Sequence, residues 1–504
     1  MATVRTRQPI LSDRQGFNRR WYAANVEMVY LPTDTTSLTA AVEDAITRYP
    51  NAFSVAGGRH CYEDFVYNAG RRAVIDVSGM TAVGEDPEKG YFVEAGNSNW
   101  SMYLALLNQY NLTIPAGSCY SVGVGGHICG GGYGLLSRLH GLTVDLLTGV
   151  EIVVKPASGT PAQAIYVSKD STGTEYDLYW ATRGGGGGNF GVISRYYFET
   201  LPKAPAQAVQ GLISFDWSDF QSLGALTQLI NAFELEATKQ SPDSWPEYWI
   251  LKLMHRSAGQ MGIVFQVVSD ETDVLMEKAK HFERVRADMQ QIAPVRSGRI
   301  SLPGHPMWLS ASGVESQTFT YLEALQNANG SGPNHRGKYK SAYMKKRFPP
   351  DQVQAIYAAL TQNVPGADLS SSLLQVDSYG CAINQVLPTA TAIPQRSSIL
   401  KLQYQTYWQN NLPVGQSDPA QDALYLGWIR QFYQSVYAAS GGTPDPQHDP
   451  SGTVDGCYYN YPDVDLGPDA LRLYFLQNLA KLKNVKREWD WNNYFNHAQS
   501  IPVS

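Results

Sequence analysis

Cysteine is scarce in this chain. Five occur in 504 residues, Cys61, Cys119, Cys129, Cys381 and Cys457, widely spaced and without a C-x-x-C pair. Their scarcity excludes a disulfide-stapled scaffold and a paired-cysteine zinc ribbon. No run of 18 apolar residues occurs, which excludes a hydrophobic membrane-spanning helix. Met1 to Ile10 is polar and lacks an apolar signal core. The expectation is therefore a soluble chain, either cytoplasmic or secreted with its signal removed. An excess of one charge is missing too: 39 Lys and Arg stand against 45 Asp and Glu, a net −6. Neither nucleic acid nor a membrane is expected as a partner. Internal repeats and low-complexity tracts are absent.

What is present is an ordinary globular composition, 43% hydrophobic and 17% charged, with 31 Tyr and 11 Trp. The length exceeds one simple core, so two or three packed units are expected, as a monomer or small homo-oligomer. Residues 1–203 alternate helix and strand. Ser37 to Tyr49 has helical spacing behind Asp34 and Thr35, and Trp100 to Asn108 is amphipathic. Phe53 to Gly58, Ala73 to Val77, Tyr91 to Ala95 and Val150 to Val154 read as strands. After Leu201-Pro202-Lys203-Ala204-Pro205 the texture changes. Val209 to Phe215, Tyr248 to Met254 and Met261 to Val268 read as strands, with helices over Phe220 to Ala237 and Val274 to Ile292. Residues 204–454 thus read as an antiparallel sheet covered by helices, and Arg299 to Lys340 as long loops or a lid. Residues 455–504 read as a return to the first domain. The fold class is α+β.

Two glycine-bearing segments carry chemistry. In Val55-Ala56-Gly57-Gly58-Arg59-His60 a strand enters Gly-Gly, where no Cβ blocks a close backbone approach. From Pro115 to Gly134, glycines interleave with Val, Ile, His, Cys and Tyr at fixed places, unlike a linker. A folded loop wrapped around a ligand is expected. Its spacing is not the G-x-G-x-x-G of a Rossmann turn. Gly184 to Gly188, then Asn189-Phe190-Gly191-Val192-Ile193, forms a third patch leading into a strand. His60, Cys61, His127, Cys129 and His140 are possible metal ligands by type. His-x-Cys within a glycine-rich loop fits no structural zinc pattern, so no metal is expected.

The order Gly-Gly-Arg-His, Val-Gly-Val-Gly-Gly-His-Ile-Cys-Gly-Gly-Gly-Tyr-Gly, Asn-Phe-Gly-Val-Ile and a closing Tyr458-Tyr459-Asn460-Tyr461-Pro462-Asp463 resembles the berberine-bridge-enzyme branch of the vanillyl-alcohol-oxidase flavoproteins. Asn493 to Pro502 resembles that family's last motif. Within it the likeness is strongest to bacterial members that oxidise sugars on natural products, aclacinomycin oxidoreductase and glycopeptide hexose oxidases among them. Gly58-Arg59-His60-Cys61-Tyr62-Glu63-Asp64-Phe65 is similar to the hexose-oxidase group.

The resemblance implies a PCMH-type FAD-binding domain of two α+β subdomains. It also implies FAD held bicovalently, by His60 at the 8α-methyl and Cys129 at C6. Ala56, Gly57, Gly58, Arg59, Gly117, Ser121, Val122, Gly125, Gly126, His127, Gly130, Tyr133, Gly191, Val192 and Asn460 are the further cofactor contacts it implies. One departure is extra chain between Cys61 and Ala73. Cys61 itself matches no flavin-linking position.

Oxidising an alcohol needs a base near the hydroxyl while hydride leaves carbon for the flavin. Tyr461 matches that base, and Tyr379 resembles a second active-site tyrosine that assists it. The expected reaction is oxidation of an alcohol, a sugar hydroxyl above all, with O2 as acceptor and hydrogen peroxide as product. The alternatives are a flavin-dependent oxidative cyclase or a dehydrogenase of natural-product biosynthesis. The cyclases of this type place a Glu on the substrate-domain wall, where tyrosines are expected in this chain.

Overall fold

Asp34 opens the helix Thr35–Arg48 by accepting from Ser37 N at 2.7 Å. Leu38, Ala41, Val42, Ala45 and Ile46 recur at helical spacing and form its buried face. That helix packs on Met28–Leu31 and Ala73–Asp76. These are the middle strands of a four-stranded sheet ordered Arg5–Arg7, Met28–Leu31, Ala73–Asp76, Phe53–Ala56. Its last three strands are parallel. The computed structural model describes residues 4–156, 159–296, 316–328, 334–410 and 412–504.

A second sheet is antiparallel throughout. Its order is Val83–Asp86, Gly90–Glu94, Val192–Phe198, Gly149–Val154, Gln163–Ser168. The third and largest sheet has seven antiparallel strands. It runs Ser316–Thr320, Gln207–Asp216, Gln260–Ser269, Glu247–Met254, Leu373–Ser378, Leu400–Trp408, Arg336–Met344. Helices Leu223–Ala237, Thr272–Gln290 and Pro419–Val436 pack on it. Trp249 lies 4.4 Å from Phe265, which stacks at 5.1 Å on Phe282 of a covering helix. Because strand side chains alternate, Tyr248, Ile250 and Lys252 face the other way, into a cavity. The fold is α+β, with two smaller sheets and one large antiparallel sheet.

Two expectations need correction. Arg299 to Lys340 is not all loop: Ser316–Thr320 is an edge strand, Tyr321–Asn327 a helix, and Arg336–Met344 a strand buried along its whole length. Residues 297–315 and 329–333 lie outside the described residues. Within the Pro115–Gly134 loop, Val124–Cys129 forms a short helix.

The closing residues pin the ends of the two smaller sheets. Lys486 Nζ, fully buried, donates to Asn189 O at 2.7 Å and Phe495 O at 2.6 Å. Ile501 N donates to Asn189 Oδ1 at 2.8 Å, and Arg71 reaches Asn496 O at 2.9 Å. Among the described residues no helix is long and apolar enough to cross a membrane.

Candidate active site

The end of strand Phe53–Ala56, the helix Val124–Cys129, the Gly186–Val192 turn and the Tyr458–Tyr461 segment meet around one cavity of about 380 Å3. Close packing of glycine backbones makes that meeting possible. A methyl built on Gly123 would overlap Gly58 N, and one on Gly58 would overlap Gly123 N. Gly126 differs, because its missing side chain points into open space with nothing within 4 Å. The cradle is thus tight behind and open in front.

Ala56, Gly57, Gly58, Arg59 and His60 line this cavity in one run. Arg59 adopts φ 61° and turns its guanidinium onto Asp76 at 2.6 Å. His60 Nε2 sits 2.8 Å from Ser121 Oγ, and its ring stacks on Phe17 at 4.5 Å. Burial pushes His60 down to about 4, so the ring is neutral at ordinary pH. Gly117, Val122, Gly125, Gly126 and His127 line the next wall. His127 Nε2 accepts from Gly117 N at 2.9 Å, which fixes its tautomer and clamps the glycine loop.

Cys129 closes the helix and borders the same cavity. Its thiol donates to Gly126 O at 3.4 Å, and burial pushes it up to about 12. Gly191, Val192 and Asn460 complete this side. Asn460 Nδ2 donates to His127 O at 2.9 Å, and its amide fills the space beside Gly130, which is itself behind the lining. None of the five cysteines is disulfide-bonded. Among the described residues no group of three metal-ligating side chains converges.

The opposite wall comes from the seven-stranded sheet. Tyr461 faces it, and Lys401 Nζ donates to the Tyr461 phenol oxygen at 3.0 Å. Lys401 is fully buried and stands 3.5 Å from Asp377 Oδ2. Its amine is pushed down by burial to about 8. Burial pushes the Tyr461 phenol well above its ordinary range, with Tyr62 and Asp377 adding to the effect. The ammonium of Lys401 is the group positioned to favour its phenolate. Tyr133 lines the cavity, donates to Ser378 O at 2.6 Å and accepts from Tyr248 Oη at 2.9 Å.

Tyr379 is not among the lining residues. It is fully buried behind Tyr133, ring centroids 5.4 Å apart, and its phenol donates to Gln395 O at 3.3 Å. The wall expected to carry tyrosines also carries Lys252, Gln375 and Asp377. With Lys401, these are the residues that sequence reasoning missed.

The stretch after Cys61 has a structural role. Tyr62 stacks on Tyr339 at 3.6 Å and lies 5.6 Å from Tyr461. Phe65 stacks on His497 at 4.5 Å. Glu63 enters a buried ion cluster with Lys338, whose Nζ also lies 2.6 Å from Asp463. Lys340 lies 2.7 Å from Asp463 and 2.9 Å from Asp465, which Arg430 pairs at 2.7 Å. Segments bearing His60 and Tyr461 are thereby fastened to one strand.

Comparison with known proteins agrees with this architecture. The "FAD binding domain" family model matches residues 26–162, and the "Berberine and berberine like" model matches residues 457–502. The chain is 40% identical to a hexose oxidase of Chondrus crispus, over 98% of this chain and 93% of the relative. It is 34% identical to an aclacinomycin-N/aclacinomycin-A oxidase of Streptomyces galilaeus, over 97% and 87%. The crystal structure of a glycopeptide hexose oxidase complexed with teicoplanin superposes with a TM-score of 0.85 at 31% identity, covering 99% of each chain. The chain belongs to the berberine-bridge-enzyme-like FAD-binding flavoproteins, and is an FAD-dependent oxidoreductase acting on CH–OH groups.

Proposed function

We propose that this enzyme oxidises a hydroxyl group of a sugar, free or carried on a natural product, with FAD bonded to His60 and Cys129 and with Tyr461 as the base. The observation that carries the reading is the Lys401 contact on the Tyr461 phenol, 3.0 Å, beside the cavity that His60 and Cys129 share. The relatives named hexose oxidase and aclacinomycin oxidase support a sugar-bearing substrate and oxygen as acceptor.

The residues suit the cofactor. A neutral imidazole and a cysteine on one cavity are nucleophile types able to bond an electrophilic ring. With Nε2 engaged by Ser121, His60 has Nδ1 for that bond. The bare face of Gly126 leaves room for a flat group. When bound, FAD supplies the acceptor for the two electrons leaving the alcohol carbon, and O2 is the final oxidant, giving hydrogen peroxide.

The chain's own groups handle the proton. Tyr461 and Lys401 act as one unit that holds one proton fewer in its active form. The substrate hydroxyl gives its proton to the Tyr461 oxygen, and Lys401 stabilises the negative charge shared between the two oxygens as it moves. Tyr133 and Tyr248, linked at 2.9 Å, shape the apolar side of the substrate space. Tyr379 supports Tyr133 from behind.

The test is anaerobic flavin bleaching by substrate in Tyr461→Phe, which isolates reduction from the reaction with oxygen. The expected loss is ~10²–10⁴-fold, in kcat and kcat/KM together, with the covalent flavin retained. Bleaching at the wild-type rate would remove Tyr461 as base. It would favour the oxidative-cyclase reading, for which Asp377 supplies a carboxylate on the cavity wall.

A further inference from the structure

Two rows of side chains cross the cavity face of the seven-stranded sheet. The first is Ile250, Asp377 and Lys401, paired across three neighbouring strands and ending on the Tyr461 phenol. The second is Lys252, Gln375 and Gln403, in register on the same strands. It lies two residues along, about 7 Å away, and so shares the face.

The second row is unevenly satisfied. Gln403 is engaged at both ends, giving Nε2 to Tyr62 Oη at 3.2 Å and accepting from Gln405 at 3.0 Å. Gln375 gives Nε2 to Asp377 Oδ1 at 2.8 Å. Its Oε1, on a residue only 3% exposed, accepts no hydrogen bond among the described residues. A buried acceptor left so is costly, and native proteins rarely tolerate one without a role. Lys252, its cross-strand neighbour, is fully buried beside Asp377 and Cys119. Both Lys252 and Gln375 line the cavity.

An alcohol with a single hydroxyl, held at Tyr461, would bury this second row under hydrocarbon. A ring carrying several hydroxyls would donate one hydrogen bond to Gln375 Oε1 and accept another from Lys252 Nζ. We propose that Lys252 and Gln375 form a second hydroxyl-binding subsite, which selects polyhydroxylated sugar rings over alcohols with one hydroxyl. The proposal rests on Tyr461 receiving the proton of the oxidised hydroxyl. It adds the group that recognises the rest of the ring. Burial pushes the Lys252 amine down to about 7, so near neutrality it is partly uncharged and pairs with hydroxyls in either direction.

The test uses the flavin-loaded enzyme. D-Glucose or D-galactose, whichever bleaches the flavin faster, is compared with its monodeoxy analogues and with cyclohexanol. Removing the recognised hydroxyl should lower the wild-type kcat/KM about 10-fold, the cost of leaving a buried partner unpaired. The same deoxy analogue should cost nothing further in Gln375→Met or Lys252→Met, with Lys252→Gln in reserve if the methionine variant folds poorly. Cyclohexanol should be the poorest wild-type substrate and should gain on the sugars in both variants. If the variants discriminate among the analogues as the wild type does, or if neither sugar bleaches the wild type, the subsite assignment is overturned. Equal bleaching of wild type and Tyr461→Phe would instead overturn the base, a separate result that leaves the analogue comparison readable.

Discussion

Lys401 Nζ donates to the Tyr461 phenol oxygen at 3.0 Å and stands 4.1 Å from the centroid of the same ring. One cation therefore touches both the lone pairs and the π face of the tyrosine. With the Lys401 amine pushed down to about 8, the pair sheds its shared proton within a measurable range. Below that pH the pair is fully protonated and takes up no proton from substrate. Above it the pair accepts one. The anaerobic bleaching rate should rise with pH to a plateau, with its midpoint near 8. In Lys401→Met that limb should move upward out of the range, because the phenol loses its cation. A flat profile from pH 6 to 9 in the wild type would count against the pair as base.

The two nucleophile positions begin from opposite protonation states. His60 is neutral, its nucleophilic form, whereas the Cys129 thiol is held protonated by burial. His60→Ala and Cys129→Ala should each keep flavin with acid-precipitated protein, and only the double variant should release it. During reconstitution of apoprotein with FAD, raising the pH should speed attachment in His60→Ala but not in Cys129→Ala. Release of all colour by either single variant would show that only one bond forms.

Two glycines three residues apart should fail in different ways. Gly123→Ala sets a methyl against the backbone of Gly58, which has no freedom to withdraw, so little folded protein is expected. Gly126→Ala meets nothing in the protein itself. It should give a wild-type circular dichroism spectrum with a lowered flavin-to-protein ratio. Equal flavin content in Gly126→Ala and wild type would show that this face does not contact the cofactor.

Asp463 takes two lysines at once, Lys338 at 2.6 Å and Lys340 at 2.7 Å, two residues after Tyr461. Asp463→Asn leaves those ammonium groups undercompensated, a change that typically costs ~3–5 kcal/mol when a buried pair is broken. The thermal midpoint should fall clearly, and kcat should fall more than KM rises because Tyr461 loses its anchor. Adding Lys340→Met should recover part of the stability. No recovery in the double variant would argue against charge imbalance as the cause.

Much of the scaffold was legible from the chain. Ala73 to Val77 and Val150 to Val154 carried enough branching to be read as strands, and they lie within a residue of Ala73–Asp76 and Gly149–Val154. The glycine loops pointed to the cavity because only close backbone packing explains so many glycines among fixed apolar residues. The wall that carries Lys401 was hidden for a physical reason. Leu400–Trp408 alternates apolar and polar residues, a pattern that ordinarily means one face in water. Here Lys401, Gln403 and Gln405 are all buried. A lysine opposite Asp377 becomes visible only when strands distant in sequence are set side by side. The start of Arg336–Met344 was misread because it follows a stretch rich in Gly, Ser, Asn and Pro, which suggested loops; in the fold the charges of Lys338 and Lys340 are cancelled by Glu63, Asp463 and Asp465.

His60 and Cys129 reach their shared cavity from separate stretches of chain. A single ring bonded to both would close a covalent loop of about 70 residues, and closure on that scale removes unfolded-chain entropy worth ~4 kcal/mol in the manner of a disulfide. The cofactor would then be a staple as well as a reagent, one that thiol reductants do not cut. A heated or denatured molecule would keep the two halves of its cradle tethered to the ring they enclose, and refolding would start from that tether.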